Sequence, residues 1–290
     1  MHPFFYIFIQ MQLRLDEQQT IQHLAMQSIE EDCAIDVNEK LEYPPVALSL
    51  GETLIKGKNK DMLLPIPIGT YGNFSFVQAP PKTKKTFFIS LLASVYLSDQ
   101  NHFGGNLKGH REGKQLIHID TEQGRWHCQR VFKRVAEMAG TSEDYLTFGL
   151  RTIGYKDRIE FIDYCLEHKA ENAGLLIVDG IADLCADVNN IEESNACVQR
   201  LMEWSAKYNV HILCVIHSNF GSDKPTGHLG SFLEKKAETQ IQLEANTVNT
   251  EWVTVKCKRS RGYSFETFSF KVNEIGLPEI VGDLYDPLKN

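Results

Sequence analysis

The sequence has no C-x-x-C pair, and this absence argues against a structural zinc site. Its seven cysteines are scattered and fall mostly in apolar runs: Cys33, Cys128, Cys165, Cys185, Cys197, Cys214 and Cys257. Zinc sites usually show closely spaced ligand pairs, and a disulfide framework usually needs an even count of cysteines in a secreted chain. The sequence therefore predicts free, mostly buried thiols in the reducing cytoplasm.

Long apolar runs and an excess of positive charge are also missing. No stretch reaches the ~18 consecutive apolar residues of a membrane-spanning helix, so we expect no membrane partner. The formal net charge is −8, which excludes a protein that coats DNA through bulk charge but is compatible with a local basic channel. The apolar start, MHPFFYIFIQM, lacks the basic region and the cleavage site of a secretion signal. A docking segment or a translation start at Met11 would each account for it.

The chain also lacks internal repeats, and in their place apolar strands alternate with helices. Strands are predicted at NFSFVQA (73–79), KQLIHID (114–120), GLLIVDG (174–180) and NVHILCVIH (209–217), and helices at 85–100, 124–140, 157–173 and 194–208. This alternation predicts an α/β fold with a mainly parallel sheet and helices on both faces. The last sixty or so residues alternate apolar and polar positions, which indicates strands at 237–245, 251–259 and 264–272, including a C-terminal β-hairpin.

A polar segment precedes this core. Residues 12 to about 45 contain no glycine, and no proline before Pro44, so they predict a helix that the Tyr43-Pro44-Pro45 sequence ends. Residues 46 to about 72 read as short apolar pieces and turns. We therefore expect an appended helical segment over 1–45 and one larger α/β domain over 46–285.

Two glycines are absent where a phosphate-binding loop would need them. The stretch APPKTKKT (79–86) stands between a predicted strand and a predicted helix, as the pattern G-x-x-x-x-G-K-[ST] does, but Ala79 and Lys84 replace its glycines. Lys85 and Thr86 are retained, to neutralise phosphates and to bind Mg²⁺. A lysine-rich surface turn is the alternative interpretation.

Polar side chains follow three further strands. Glu122 follows the strand that ends at Asp120 and could orient a water for attack on a phosphate, or cap the next helix. Asp179 follows four apolar residues and could hold Mg²⁺, or start a turn. His217, with Ser218, ends a fourth strand and could sense a γ-phosphate, or be an ordinary strand-end histidine.

Taken in this order, these motifs resemble the RecA-like P-loop ATPases, in particular the hexameric RepA/DnaB-type helicases and the AAA-family ATPases of mobile elements. The resemblance covers about residues 43–281 and implies ATP and Mg²⁺ as ligands. It assigns the phosphates to Pro81, Lys82, Thr83, Lys84, Lys85, Thr86 and Phe87, the metal to Thr86 and Asp179, and catalysis to Glu122 and His217. It also implies that Lys258, Arg259 or Arg261, in VKCKRSRGYSFETFSFKV, acts on the neighbouring subunit's nucleotide, which requires a homo-oligomer such as a hexameric ring.

We therefore expect an ATPase that acts in DNA replication or in the mobilisation of a plasmid or mobile element. A helicase or a helicase-like motor is one form that such an ATPase could take. Single-stranded DNA or replication proteins would be its partners, contacted by loops at 154–158 and 219–228 that carry Lys156, Arg158 and Lys224. A nucleotide-binding adaptor that does not hydrolyse ATP is the alternative. A small-molecule kinase or sulfotransferase is a third, less favoured because the C-terminal strands resemble the RecA-type hairpin rather than a substrate lid.

Overall fold

The computed structural model describes residues 3–56, 61–98, 106–219 and 222–281; within the first range, the side chains of 3–13 and 15–17 are not described. The chain divides into two units, 1–43 and 44–290. The expected docking role of the apolar N-terminus and the predicted domain end at 282–285 fall on residues outside this description. No helix among the described residues is both long and apolar enough to cross a bilayer.

The first unit contains one long helix. It is α1 (Pro3–Cys33), and its described side chains, including Ile21, Leu24 and Ile29, are exposed. The helix ends well before the expected residue 45, so that prediction is wrong beyond Cys33. Asp36 accepts hydrogen bonds from both the backbone and the side-chain nitrogen of Asn38, a local turn that competes with helix.

The second unit consists of strands and helices in the predicted alternation. Its helices are α2 (Lys85–Leu97), α3 (Arg125–Ala139), α4 (Tyr155–Tyr164, continued by a π-helical turn at Cys165–Lys169), α5 (Ile191–Tyr208) and α6 (Gly227–Lys236). Its strands are β1 (Val46–Ile55), β2 (Met62–Thr70), β3 (Phe74–Ala79), β4 (Leu107–Gly109), β5 (Gln115–Asp120), β6 (Tyr145–Gly149), β7 (Ala173–Asp179), β8 (His211–His217), β9 (Thr239–Ala245), β10 (Val253–Ser260), β11 (Phe268–Val272) and β12 (Pro278–Val281).

Nine of the described strands form one sheet in the order β12-β11-β10-β9-β3-β8-β7-β5-β6. The segment from β9 to β6 is parallel, and β9 to β12 continue it as an antiparallel meander. The predicted fold class is therefore confirmed. The stretch 46–72, expected as short pieces, instead forms the long strands β1 and β2, which pair antiparallel, with β4 on the other side of β1.

Two apolar layers enclose the sheet. One contains α2 and α3 with residues such as Phe88, Leu92 and Val135. The other contains α4, α5 and α6 with Ile162, Leu201 and Leu229. α2 is buried from Phe88 to Leu97, which explains its nearly continuous apolar sequence. This burial holds the start of α2 against the end of β3.

The register of the parallel strands determines where the candidate residues lie. Ala79 is opposite His217, Asp179 is opposite Val215, and Asp120 is opposite Asp179. The carboxyl ends of four neighbouring strands therefore meet at one edge of the sheet, the position where open α/β sheets bind ligands.

Candidate nucleotide site

The loop between β3 and α2 adopts a backbone that usually favours glycine. Lys82 and Lys84 both have positive φ, 67° and 56°. Lys84 is the N-cap residue of α2. The left-handed conformation costs an L-residue roughly 1 kcal/mol. Lys84 therefore takes the backbone geometry of the glycine it replaces, and its ammonium donates to the Glu251 carbonyl at 2.6 Å.

Thr83 stabilises the same turn, because its hydroxyl donates to the Pro80 carbonyl at 2.7 Å. Lys85 and Thr86 follow as the first residues of α2. The N–H groups of a first helical turn have no acceptor within the helix, so they favour an anion there. Pro81 and Lys82 are exposed on the outer side of the loop, and Phe87 lies under the guanidinium of Arg134, 3.9 Å from its ring centroid.

Lys85, His217 and Glu122 form a chain of contacts from three elements. The Lys85 ammonium lies 2.7 Å from Nδ1 and 2.9 Å from Nε2 of His217. His217 Nε2 lies 3.5 Å from Oε1 of Glu122. Because an ammonium can only donate, a ring nitrogen accepts from Lys85 while the ring also faces the carboxylate.

The electrostatics of this chain keep Glu122 ionised. The His217 contact lowers the pKa of Glu122, the charge of Lys85 adds to that shift, and burial opposes it. Burial lowers the pKa of Lys85, and the charges of Glu122 and Asp179 oppose that shift. Glu122 is therefore an ionised hydrogen-bond acceptor. Burial leaves the Lys85 ammonium poorly solvated, so an anionic group placed against it would be favoured.

Asp179 is a buried carboxylate, 6% exposed, at the end of β7. Its pKa is raised to about 7, first by burial and then by the charges of Asp120 and Glu122, against the opposing charge of Lys85. Among the described residues, no donor hydrogen-bonds to its carboxylate. In the part of the chain that the structure describes, no three His, Cys, Asp or Glu side chains are grouped so that they could hold a metal ion. A single buried, poorly compensated carboxylate does fit Mg²⁺ that is bound together with a nucleotide, because Mg²⁺ takes one or two carboxylates plus substrate phosphates.

Asp120 has a different role from Asp179. Its carboxylate accepts from the backbone N–H of Glu122 at 3.0 Å, and from the N–H and amide of Gln123 at 2.8 and 2.5 Å. Burial raises the pKa of Asp120, and these bonds oppose the shift. Asp120 therefore shapes the turn that presents Glu122.

Only a glycine fits at position 180, next to Asp179. Its φ is 104°, and a Cβ there would lie 2.2 Å from Oγ1 of Thr121. That hydroxyl is occupied, because it lies within 3.1 Å of the Asp179 and Gly180 carbonyls and 2.8 Å from the Asp183 carboxylate. Thr121 therefore ties the turns after β5 and β7 together.

Sequence reasoning missed Gln78, a fully buried amide one residue before the phosphate loop. It donates to Ser218 at 3.1 Å and to the Asp223 carbonyl at 2.6 Å, and it accepts from Gln240 at 2.7 Å. Its signal in the sequence was a single amide in the otherwise mostly apolar strand FSFVQA. It links the strand before the loop to the segment that follows His217.

The basic residues of β10 and the following turn make contacts within their own chain. Lys258 donates to the same Asp223 carbonyl as Gln78, and Arg261 donates to the Lys236 carbonyl at 2.6 Å. Arg259 is exposed, and its guanidinium makes no hydrogen bond or ion pair among the described residues. Of the three predicted fingers, Arg259 is thus the one whose side chain is least engaged.

The two loops that were predicted to face a channel also differ in whether their basic side chains are bound by the rest of the chain. Arg158 is held by the carbonyls of Leu150, Arg151 and Asp183 and by an ion pair with Asp183 at 3.8 Å. Lys156 and Lys224 are exposed. Part of the second loop, 220–221, lies outside the described residues. The guanidinium of Arg158 is therefore engaged within its own chain, and the assignment of these loops to a channel stays a prediction.

The comparisons with known proteins agree with this geometry. Residues 63–223, more than half of the 290 residues, match the AAA_25 family, described as an AAA domain. The crystal structure of the RadB recombinase is similar in fold, with a TM-score of 0.51 and 17% sequence identity over 73% of this chain and 92% of that one. No curated protein has a significantly matching sequence. By this match the chain belongs to the AAA_25 family of AAA domains, and its mainly parallel sheet is the RecA-like fold that it shares with RadB.

Proposed function

We propose that this protein binds and hydrolyses ATP at the edge formed by β3, β5, β7 and β8. The observation that supports this most is the convergence of Lys85, Glu122, Asp179 and His217 from four separate elements. Lys85 neutralises the phosphates, and the N–H groups at the start of α2 bind them. Glu122 orients the attacking water and takes its proton.

Thr86 and Asp179 would hold Mg²⁺, which when bound neutralises charge on the β- and γ-phosphate oxygens. His217 touches both Lys85 and Glu122, so it is placed to respond to the charge state of that pair. Residues 81–87, from Pro81 to Phe87, bind the phosphates in this proposal. Lys84 adopts the backbone of the missing glycine, which is why the loss of the glycine is compatible with binding.

We further propose an assembly and a setting. Residues 46–285 act as the ATPase domain and 1–45 as an appended segment, in a cytoplasmic homo-oligomer such as a hexameric ring of the RepA/DnaB type. Arg259 is the preferred residue to reach a neighbouring subunit's nucleotide, because Lys258 and Arg261 contact their own chain. The motor acts on single-stranded DNA in replication or mobilisation of a plasmid or mobile element.

The decisive experiment is ATP hydrolysis with and without single-stranded DNA, together with binding of a fluorescent ATP analogue. Lys85→Ala should lose most affinity, whereas Glu122→Gln should bind normally and turn over about 10²–10⁴-fold more slowly. Lys207→Ala, an exposed lysine on α5, is the matched control and should behave as wild type.

Two results would redirect the proposal. Equal affinity of Lys85→Ala and wild type would remove the phosphate-loop assignment. Nucleotide binding without hydrolysis, in wild type and in the presence of DNA, would identify the alternative function, a nucleotide-binding adaptor.

A further inference from the structure

A groove of about 1040 Å³ runs between α3 and β6, the last strand of the described sheet on that side. Aromatic rings of Phe132, Tyr145 and Phe148 line its walls. The two remaining features of the groove, its cations and an exposed tryptophan, are not used by the proposed ATPase chemistry.

The groove is electropositive in a chain whose net charge is −8. Three cationic side chains, Arg125, Lys133 and Arg151, line it and are exposed, and no Asp or Glu is among its described lining residues. The first turn of α3 contains no acidic residue, and Gly124 gives it no side-chain cap. The helix N-terminus therefore adds its partial positive charge to that of the three side chains.

Trp126 lies in the same groove and is 60% exposed. The guanidinium of Arg130 sits 4.9 Å from the centroid of its ring. By contrast, Trp204 is 2% exposed and donates to the Asp163 carboxylate at 2.6 Å. An exposed indole backed by a cation, beside further cations, provides a stacking platform for a planar, anionic ligand.

The positive charge of the groove and its exposed indole ring together indicate what kind of partner fits it. An acidic peptide would match the cations but has no planar group for the indole. A base stacked on an aromatic side chain contributes about 1–3 kcal/mol, and its phosphates match the cations. The expected channel residue Arg158 is occupied by its own chain, so this groove is the better-equipped surface for a polyanion.

We propose that the α3–β6 groove binds single-stranded nucleic acid, with Trp126 stacking on a base and Arg125, Lys133 and Arg151 contacting phosphates. This inference rests on the proposed function, because it assigns a surface to the nucleic acid on which that ATPase acts.

The test uses the full chain and a fluorescein-labelled oligothymidylate of ~15 nucleotides, in line with known single-strand site sizes. Anisotropy of the label reports binding anywhere on the protein. The chain also contains Trp204 and Trp252, so stacking on Trp126 is reported by the part of the tryptophan quenching that Trp126→Phe removes. Trp126→Ala should weaken binding by about 5- to 100-fold, corresponding to the loss of one stacked base. Trp126→Phe should bind more tightly than the alanine variant and should lose the quenching.

Lys133→Ala supplies a second, independent readout. It should reduce the dependence of log K on log salt by about 0.7, the value for one phosphate contact to a single strand. Arg200→Ala is the matched control, since Arg200 is an exposed arginine on α5, in the layer that packs on the opposite face of the sheet, and it should change neither affinity nor slope.

The outcomes separate this inference from the proposed function. Oligonucleotide binding with no tryptophan quenching, or with unchanged affinity in Trp126→Ala, would overturn the groove assignment and leave a nucleic-acid ATPase in place. Absence of any anisotropy change would overturn the groove and the nucleic-acid part of the proposed function together, while the ATP-analogue assay would still report on the nucleotide site. Tryptophan quenching that depends on protein concentration, without oligonucleotide, would assign the groove to a second copy instead.

Discussion

Replacement of Asp179 by asparagine should stabilise the ligand-free protein at neutral and alkaline pH, although it removes a residue of the candidate site. In the folded chain the pKa of Asp179 is raised from 3.8 to about 7. The folded state therefore holds the proton more tightly than the unfolded state between these values. The free energy of unfolding accordingly falls as pH rises from about 4 to about 7 and levels off above that.

The size of the effect follows from the shift. Three pH units at 1.36 kcal/mol each correspond to roughly 4 kcal/mol of destabilisation once Asp179 is fully ionised. At about pH 5.5 only about half of this is present, so the stability difference between Asp179→Asn and wild type should widen by about 2 kcal/mol from pH 5.5 to pH 8. Asparagine keeps the shape of the side chain and removes the charge.

Urea denaturation of both proteins at the two pH values measures this difference. Asp157→Asn, which removes an exposed carboxylate from the first turn of α4, is the control for loss of a surface charge. Mg²⁺ with ATP should stabilise wild type and have a much smaller effect on Asp179→Asn, because a ligand stabilises only the state that binds it. A gap that is the same at both pH values would refute the reasoning, since it would show that Asp179 ionises normally in the folded chain.

Three further predictions test the loop, the turn and the assembly. Lys84→Gly should keep nucleotide affinity and change the free energy of unfolding by no more than about 1 kcal/mol, because relief of the left-handed backbone is offset by greater freedom of the unfolded chain; loss of binding in an ATP-analogue titration would mean that the lysine itself is needed. Gly180→Ala should destabilise the protein by about 2–4 kcal/mol in urea denaturation, against about 1 for Gly140→Ala, which has positive φ but open space around it; equal losses would count against the tight contact. Arg259→Ala and Glu122→Gln should each be slow in ATP hydrolysis alone and recover part of the activity when mixed, and a mixture that stays slow would place both residues in one subunit.

Much of the candidate site could be predicted from the sequence because its residues follow directly on strands. A buried parallel strand reads as a short apolar run, and a polar residue that ends such a run must lie at the carboxyl edge of the sheet. Glu122, Asp179 and His217 were identified in this way, and Lys85 was identified from the loop pattern between the first of these strands and its helix. Local signals also predicted most of α3 and α5, whose apolar faces repeat with helical periodicity, and most of α2, whose sequence is almost continuously apolar.

Other features depended on contacts between distant segments. The stretch 46–72 forms long antiparallel strands because β1 and β2 pair with each other, although prolines and glycines broke their pattern. Lys258 and Gln78 meet at one carbonyl that is far from both in sequence. A basic residue in a strand shows its charge in the sequence, but not whether its own chain already uses that charge.

The sequence by itself thus determined the order of strands and helices and the residues that follow each parallel strand, because periodicity and burial act over a few neighbouring positions. Only the tertiary structure decided which charges are free. Arg158 and Lys258 looked like cations available to a partner, yet both are satisfied within the chain. In the sequence, Trp126 is simply one residue of a predicted helix. The packing of α3 beside β6 is what places it, still exposed, in a groove lined by cations. Whether a charge is paired and whether a ring is exposed depend on residues that are distant in the sequence. These residues come into contact only when the chain folds.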